Sequence, residues 1–202
     1  MSHTIIKLYD NYSDASAAAS ELEHIGVSSN DISLIANDAE GVHSRTRAGE
    51  DAGIGAGAGA AAGGVGGLLA GLGVLAIPGL GPVVAAGWLA ATAAGVVAGA
   101  VIGGAAGGIV GALQKEGISE EDANLYSEGV RRGGTLVSAR VGNSHTAEAE
   151  AIMNRYRAID PATRRAAYRK SGWERFDALA PVYEPDDIAR ERALYAQEDT
   201  RL

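Results

Sequence analysis

The chain has 202 residues, 17 basic and 25 acidic side chains, a formal net charge of −8 and no cysteine. The acidic balance argues against nucleic-acid binding, which needs clustered Lys and Arg to meet phosphate. The missing cysteines exclude disulfide scaffolds, thiolate metal sites and Cys nucleophiles, while 29 glycines are about twice the usual share of roughly 7%.

The sequence opens MSHTIIKLYD, with no basic segment leading into an apolar core, so no secretion signal is expected and the first part is placed in the cytoplasm. Residues 1–51 carry three basic and nine acidic side chains. Thr4–Tyr9 is a β-branched and aromatic run that predicts a strand. Ser13 or Asp14 is a candidate cap for a helix over Ala15–Ile25, with Ala18, Leu22 and Ile25 at helical spacing and Gly26 as its stop. Asp31–Ala36 alternates as a second strand.

From Ala52 to Gln114 there are 63 residues without a formal charge. Gly55, Gly59, Gly63, Gly67 and Gly71 recur every fourth position, as do Gly95, Gly99, Gly103, Gly107 and Gly111. On a helix, residues four apart share a face. Pro78, Gly79, Gly81 and Pro82 break the run. The expectation is an antiparallel hairpin of two helices, about Ala52–Ala76 and Val83–Leu113, packed glycine face to glycine face. Interior glycine costs a helix about 1 kcal/mol relative to alanine in water. Lipid removes the alternatives, and small residues every fourth position allow close helix approach there. A membrane-inserted hairpin is therefore expected, with homo-oligomerisation through the glycine stripes. Arg45, Arg47 and Lys115 flank it and favour both ends on the cytoplasmic side. The opposing reading is a buried hairpin in a soluble oligomer, because few Leu, Ile or Val drive insertion of the first half.

Residues 115–160 return to mixed charge. Ser119 with Asp122 predicts a helix start, Gly133 and Gly134 its end, and Thr135–Val141 a third strand. Thr146 is a candidate cap for a helix to about Tyr156, and a short strand is expected near residues 158–160. Pro161 suits the first turn of a further helix that ends at Gly172. Residues 161–202 read as a charged helical tail. The order predicts an α+β fold: a ferredoxin-like split βαβ sheet with helices on one face, interrupted by the hairpin over 52–114.

The phrases KLYDNYSDASAAASELEHIGVSSNDISLIAND, LLAGLGVLAIPGLGPVVAAG and EGISEEDANLYSEGVRRGGTLVSARV resemble the bacterial general-stress and low-temperature-induced protein family over about Thr4 to Arg157. The segment around Ile77–Pro82 is the most specific part. The resemblance implies a stress-induced, membrane-associated protein without catalytic residues. It leaves the tail from Ser171 onward without a role.

No catalytic, cofactor-binding or metal-binding residue is expected. No G-x-x-x-x-G-K-[ST] occurs, and the loose dinucleotide matches at Gly55 and Gly71 neither follow a strand nor precede a suitably spaced acid. His3, His24, His43 and His145 are scattered, and no G-x-S-x-G is present. Glu120, Glu121 and Asp122 read as helix-start acids. The basic run from Arg155 to Arg175 reads as a solvated helix face pairing with the acidic tail, with contact to anionic lipid as the other reading. The expected partners are membrane lipid and further copies of the chain, with no nucleic acid; the sequence does not define a small-molecule ligand. Two functions follow: a non-enzymatic, membrane-associated stress protein, or a soluble oligomeric binding module using the hairpin for assembly.

Overall fold

Side-chain alternation along the strands decides the architecture, because successive residues of a strand point to opposite faces. The structure is a computed structural model and describes residues 2–39, 41, 73–77, 79–92 and 108–199. Its strands are β1 (Ser2–Tyr9), β2 (Ile32–Asn37), β3 (Gly73–Ile77), β4 (Gly81–Ala86) and β5 (Thr135–Gly142). Its helices are α1 (Tyr12–His24), α2 (Gly108–Lys115), α3 (Glu120–Arg131), α4 (Thr146–Arg155), α5 (Pro161–Lys170) and α6 (Pro185–Asp199), with residues 88–92 also helical.

The five strands form one sheet in the order β1-β5-β2-β4-β3, every pair antiparallel. The strand from the C-terminal half, β5, lies between β1 and β2. Ile5, Tyr9, Ile32, Leu34, Ala36, Val84, Val137 and Ala139 face one side, where α1 contributes Ala18 and Leu22 and α4 contributes Ile152 and Met153. Ile6, Leu8, Ile35, Val83, Ala85 and Leu136 face the other, against Ile109 and Leu113 of α2 and Tyr126 and Val130 of α3. Helices therefore cover both faces, not one as expected. The reason lies in the strands: Ile5-Ile6, Leu34-Ile35 and Leu136-Val137 are apolar pairs, and each pair must bury both members.

The helical hairpin is corrected where it can be seen. Residues 73–77 and 81–86 are strands joined by a turn, and β-branched Val74, Ile77, Val83 and Val84 suit a pleated ladder. Gly79 and Gly81 both have positive φ, 78° and 81°, which a continuing α-helix does not hold. The turn was anticipated; its strands were not. Gly55, Gly59, Gly63, Gly67, Gly71, Gly95, Gly99, Gly103, Gly107 and Pro78 lie outside the described residues. Gly111 is buried in α2, which packs on α3. Among the described residues, no helix is long and apolar enough to cross a membrane.

Several helix ends match the sequence and others shift. Gly26, Gly133 and Gly172 follow α1, α3 and α5 with positive φ. Pro161 opens α5 behind Asp160, whose carboxylate accepts the Thr163 N–H at 2.8 Å. Ser119 accepts the Asp122 N–H. The cap of α1 is Asn11, not Ser13 or Asp14: Asn11 Oδ1 accepts the Asp14 N–H at 2.9 Å, so the helix begins earlier. Thr146 is the first residue of α4, not its cap, and its hydroxyl donates to the Gly142 carbonyl. No strand forms at residues 158–160; the Ile159 N–H makes one bond to the Leu8 carbonyl on the β1 edge.

Candidate functional site

The turn residues expected from sequence are brought against a part of the chain with no anticipated role. A methyl group on Gly79 would stand 2.6 Å from the Ala178 Cα and 2.9 Å from the Phe176 ring. On Gly81 it would meet the Val182 side chain at 3.3 Å. The β3–β4 turn is thus overlaid by residues 176–182, and Phe176 packs on the cluster that contains Ile77 and Leu80. Further along, Ile188 of α6 is buried over Gly133, where a methyl group would stand 2.4 Å from its Cγ2.

Beneath this covering segment lies a network of arginine and tyrosine. Arg132 is 8% exposed at the end of α3. Its Nε donates to Glu128 Oε1 at 2.7 Å, and its Nη1 donates to Glu191 Oε2 of α6 at 3.1 Å. Its guanidinium lies 4.3 Å from the centre of the Tyr168 ring and 5.7 Å from that of Tyr183. Burial opposes its charge, but the hydrogen bond and charge of Glu128, then Glu191 and Tyr183, outweigh burial and hold the proton more firmly than usual. Glu128 is 1% exposed and also pairs with Arg131 at 3.4 Å.

A second buried guanidinium completes the network. Arg164 of α5 forms two parallel bonds to Asp10, 2.7 and 2.8 Å long, and lies 3.8 Å from the centre of the Tyr195 ring. Burial again disfavours its charge, and Asp10 more than restores it. Tyr168, Tyr195, Trp173 and Leu125 form a small apolar cluster of their own. Burial pushes the Tyr168 hydroxyl up to about 12 and raises that of Tyr195, which also donates to Glu191. A flat guanidinium stacks on aromatic faces while keeping its edge donors for carboxylates, and both arginines do this. Such pairs fix elements in place.

The basic run is largely spoken for. Arg155 pairs with Glu21, Arg157 with Asp14 at 2.8 Å, Arg165 with Glu121 and Asp122, and Arg169 with Glu121 at 2.9 Å. These arginines are paired with acids, but not with the acidic tail expected from sequence: their partners Asp14, Glu21, Glu121 and Asp122 all precede the run. An open groove of about 530 Å³ runs along α5, lined by Glu121, Arg165, Arg169, Lys170 and two alanines. Its two arginines already hold carboxylates. Among the described residues, no group of three or more His, Asp or Glu is arranged to hold a metal ion.

The aromatic signal for the tail was present in the sequence. Six of the ten aromatic residues, Tyr156, Tyr168, Trp173, Phe176, Tyr183 and Tyr195, lie after residue 155. In an aromatic-poor chain, that concentration marks a packed segment. Its partners Arg132 and Glu128 gave no such signal, because their burial depends on what covers α3.

Comparison with curated proteins and with solved structures gives no match. Residues 4–76 match a family model described as the heat induced stress protein YflT domain. The match takes in β1, α1, β2 and nearly all of β3, and it supports the resemblance to bacterial stress proteins. Over residues 4–76, this chain is similar to a heat-induced stress protein domain.

Proposed function

We propose that the protein is a non-enzymatic stress-response module that works by self-association through its uncharged, glycine-rich chain. One observation carries this reading: the uncharged stretch is divided between two uses. Ile77, Leu80, Val83, Leu89, Ile109 and Leu113 are spent on the core of the sheet. What remains, 52–72 and 93–107, is nearly all Gly, Ala, Val and Leu without a charge. Small side chains at fixed spacing allow backbones of different copies to approach closely. The stress-response part rests on the match over residues 4–76.

Membrane contact is the second reading, and the 21-residue run 52–72 favours it, since about 20 apolar residues reach across a hydrocarbon core. Sedimentation velocity in detergent-free buffer tests the first reading. Oligomers that grow with concentration and are lost in Gly63→Leu and Gly103→Leu variants are expected. A monomer at every concentration overturns self-association. Flotation of the same protein with neutral and anionic lipid vesicles, abolished by Leu68→Asp, would move the proposal to the membrane reading.

A further inference from the structure

We propose that residues 173–195 form a displaceable strap that latches the β3–β4 hairpin onto the sheet, so that releasing the strap loosens the hairpin. The strap has two parts. Residues 173–184 carry no helix or strand, and α6 follows. The irregular part crosses the hairpin turn, where Ala178 and Phe176 fill the space a side chain at Gly79 would take and Val182 lies against Gly81. The helical part is anchored elsewhere, by Ile188 over Gly133, Glu191 on Arg132 and Tyr195 on Arg164. The lid over the turn and the anchor that holds it are therefore separate, which a latch requires.

Besides the Glu191–Arg132 pair, the strap is tied to α3 and the segment after it by hydrogen bonds that each use one side chain. The Phe176 N–H donates to Asn124 Oδ1 at 3.1 Å, Arg131 Nη2 donates to the Pro181 carbonyl at 2.7 Å, and Arg192 Nη2 donates to the Gly133 carbonyl at 3.2 Å. No sheet ladder joins the strap to the hairpin, so letting go breaks no strand pairing. From Phe176 onward the tail carries seven acids against three arginines, and its anchor on α3 is the basic pair Arg131 and Arg132. Charge therefore helps seat it.

The hairpin is the part of the fold that such a latch can govern. Among the described residues β3 is the outermost strand and pairs with β4 alone, and its Val74 is 59% exposed. Regions of this kind open locally at lower cost than the centre of a sheet. The consequence rests on the proposed function: a loosened hairpin gives the uncharged chain on either side of it freedom to meet another copy. Hydrogen exchange of the full chain, followed by mass spectrometry, tests the latch without assembly or lipid, so failure of either idea is visible apart from the other.

Phe176→Ala and Ile188→Ala should each raise exchange across residues 73–86 by about tenfold or more, with β1 and β5 changed by less than about twofold. Coupling is reciprocal. Gly79→Ala, on the hairpin, should therefore raise exchange in residues 173–195. Phe176 is only half-buried, so its variant is expected to fold even if Ile188→Ala is severe. Leu179→Ala, at a side chain 93% exposed, serves as the silent control. Exchange that rises only in the substituted element, or equally in all five strands, overturns the proposal.

Discussion

The two faces of the sheet draw on the chain in different ways. The face under α1 and α4 joins apolar residues from the two ends of the chain, where the Tyr9 hydroxyl donates to the Met153 carbonyl. The opposite face gathers its cover from three distant places: the uncharged stretch, α3 and the strap. It also carries a polar seam. Ser33 donates to the Ala86 carbonyl, Asn37 reaches the Leu80 and Arg131 carbonyls, and Arg140 holds Glu116 while lying 3.6 Å from the centre of the Trp88 ring. The lesson is that parts of an uncharged, glycine-rich stretch can supply one side of a sheet's core. Its absence of charge reflects the face it covers as much as any lipid.

The largest expected effect lies on the polar side. Glu128→Ala leaves Arg132 buried with Glu191 as its remaining carboxylate, and stability should fall by about 3–5 kcal/mol in urea unfolding. A loss under about 1 kcal/mol would mean that the covered face tolerates an uncompensated charge, and the contrast between the faces would vanish. Next come Leu34→Ala and Ile35→Ala, adjacent residues on opposite faces, each fully buried. Both should cost about 2–5 kcal/mol. If the far face is the looser of the two, Ile35→Ala will sit at the lower end because the strap and α2 can settle into the gap.

Alkaline titration separates the faces by a different route. Burial raises Tyr9 on one side, and raises Tyr126 and Tyr168 to about 12 on the other, from an ordinary value of 10. The unfolded chain releases these protons first. Stability from these tyrosines is therefore complete below pH 10 and is lost as pH rises from 10 to about 12, by up to about 3 kcal/mol for each shift of two units. Phenolate absorbance should lag in the native protein and appear with unfolding. Absorbance that develops for all seven tyrosines near pH 10 would show these rings to be solvated. The smallest effects are at the helix caps: Asn11→Ala and Ser119→Ala should each cost about 1 kcal/mol, one for each face.

Much of the first face was legible. Thr4–Tyr9, Asp31–Ala36 and Thr135–Val141 carry strand patterns, and Gly26 and Gly133 mark helix ends by a backbone angle that favours glycine. The hairpin was misread for a physical reason. The glycines spaced by four lie on either side of residues 73–86, and a helix was extended from them into a segment whose β-branched Val74, Ile77, Val83 and Val84 suit a strand. The local pattern gave way to β2, which supplies a ladder that no reading of residues 73–86 alone can supply. The cap of α1 was missed by two residues because Asn11, Ser13 and Asp14 all carry suitable oxygens, and the apolar face chose among them. The strap stayed hidden because its anchors are charged residues whose burial is decided by chain more than 50 positions away, as with Arg132 and Glu191.

The position of β5 has a consequence for how the chain is made. Among the described strands β1 pairs with β5 alone, so residues 2–9 wait for residues 135–142. At about 5–20 residues per second, synthesis of the intervening chain leaves β1 without its partner strand for roughly 6–30 seconds. A nascent protein in that interval offers unpaired strand edges to its neighbours. The 4–76 region that resembles a stress domain, released by itself, would keep the same open edge. Fragments ending before residue 135 should therefore bind chaperones and aggregate, whereas chains extended past residue 142 should escape both.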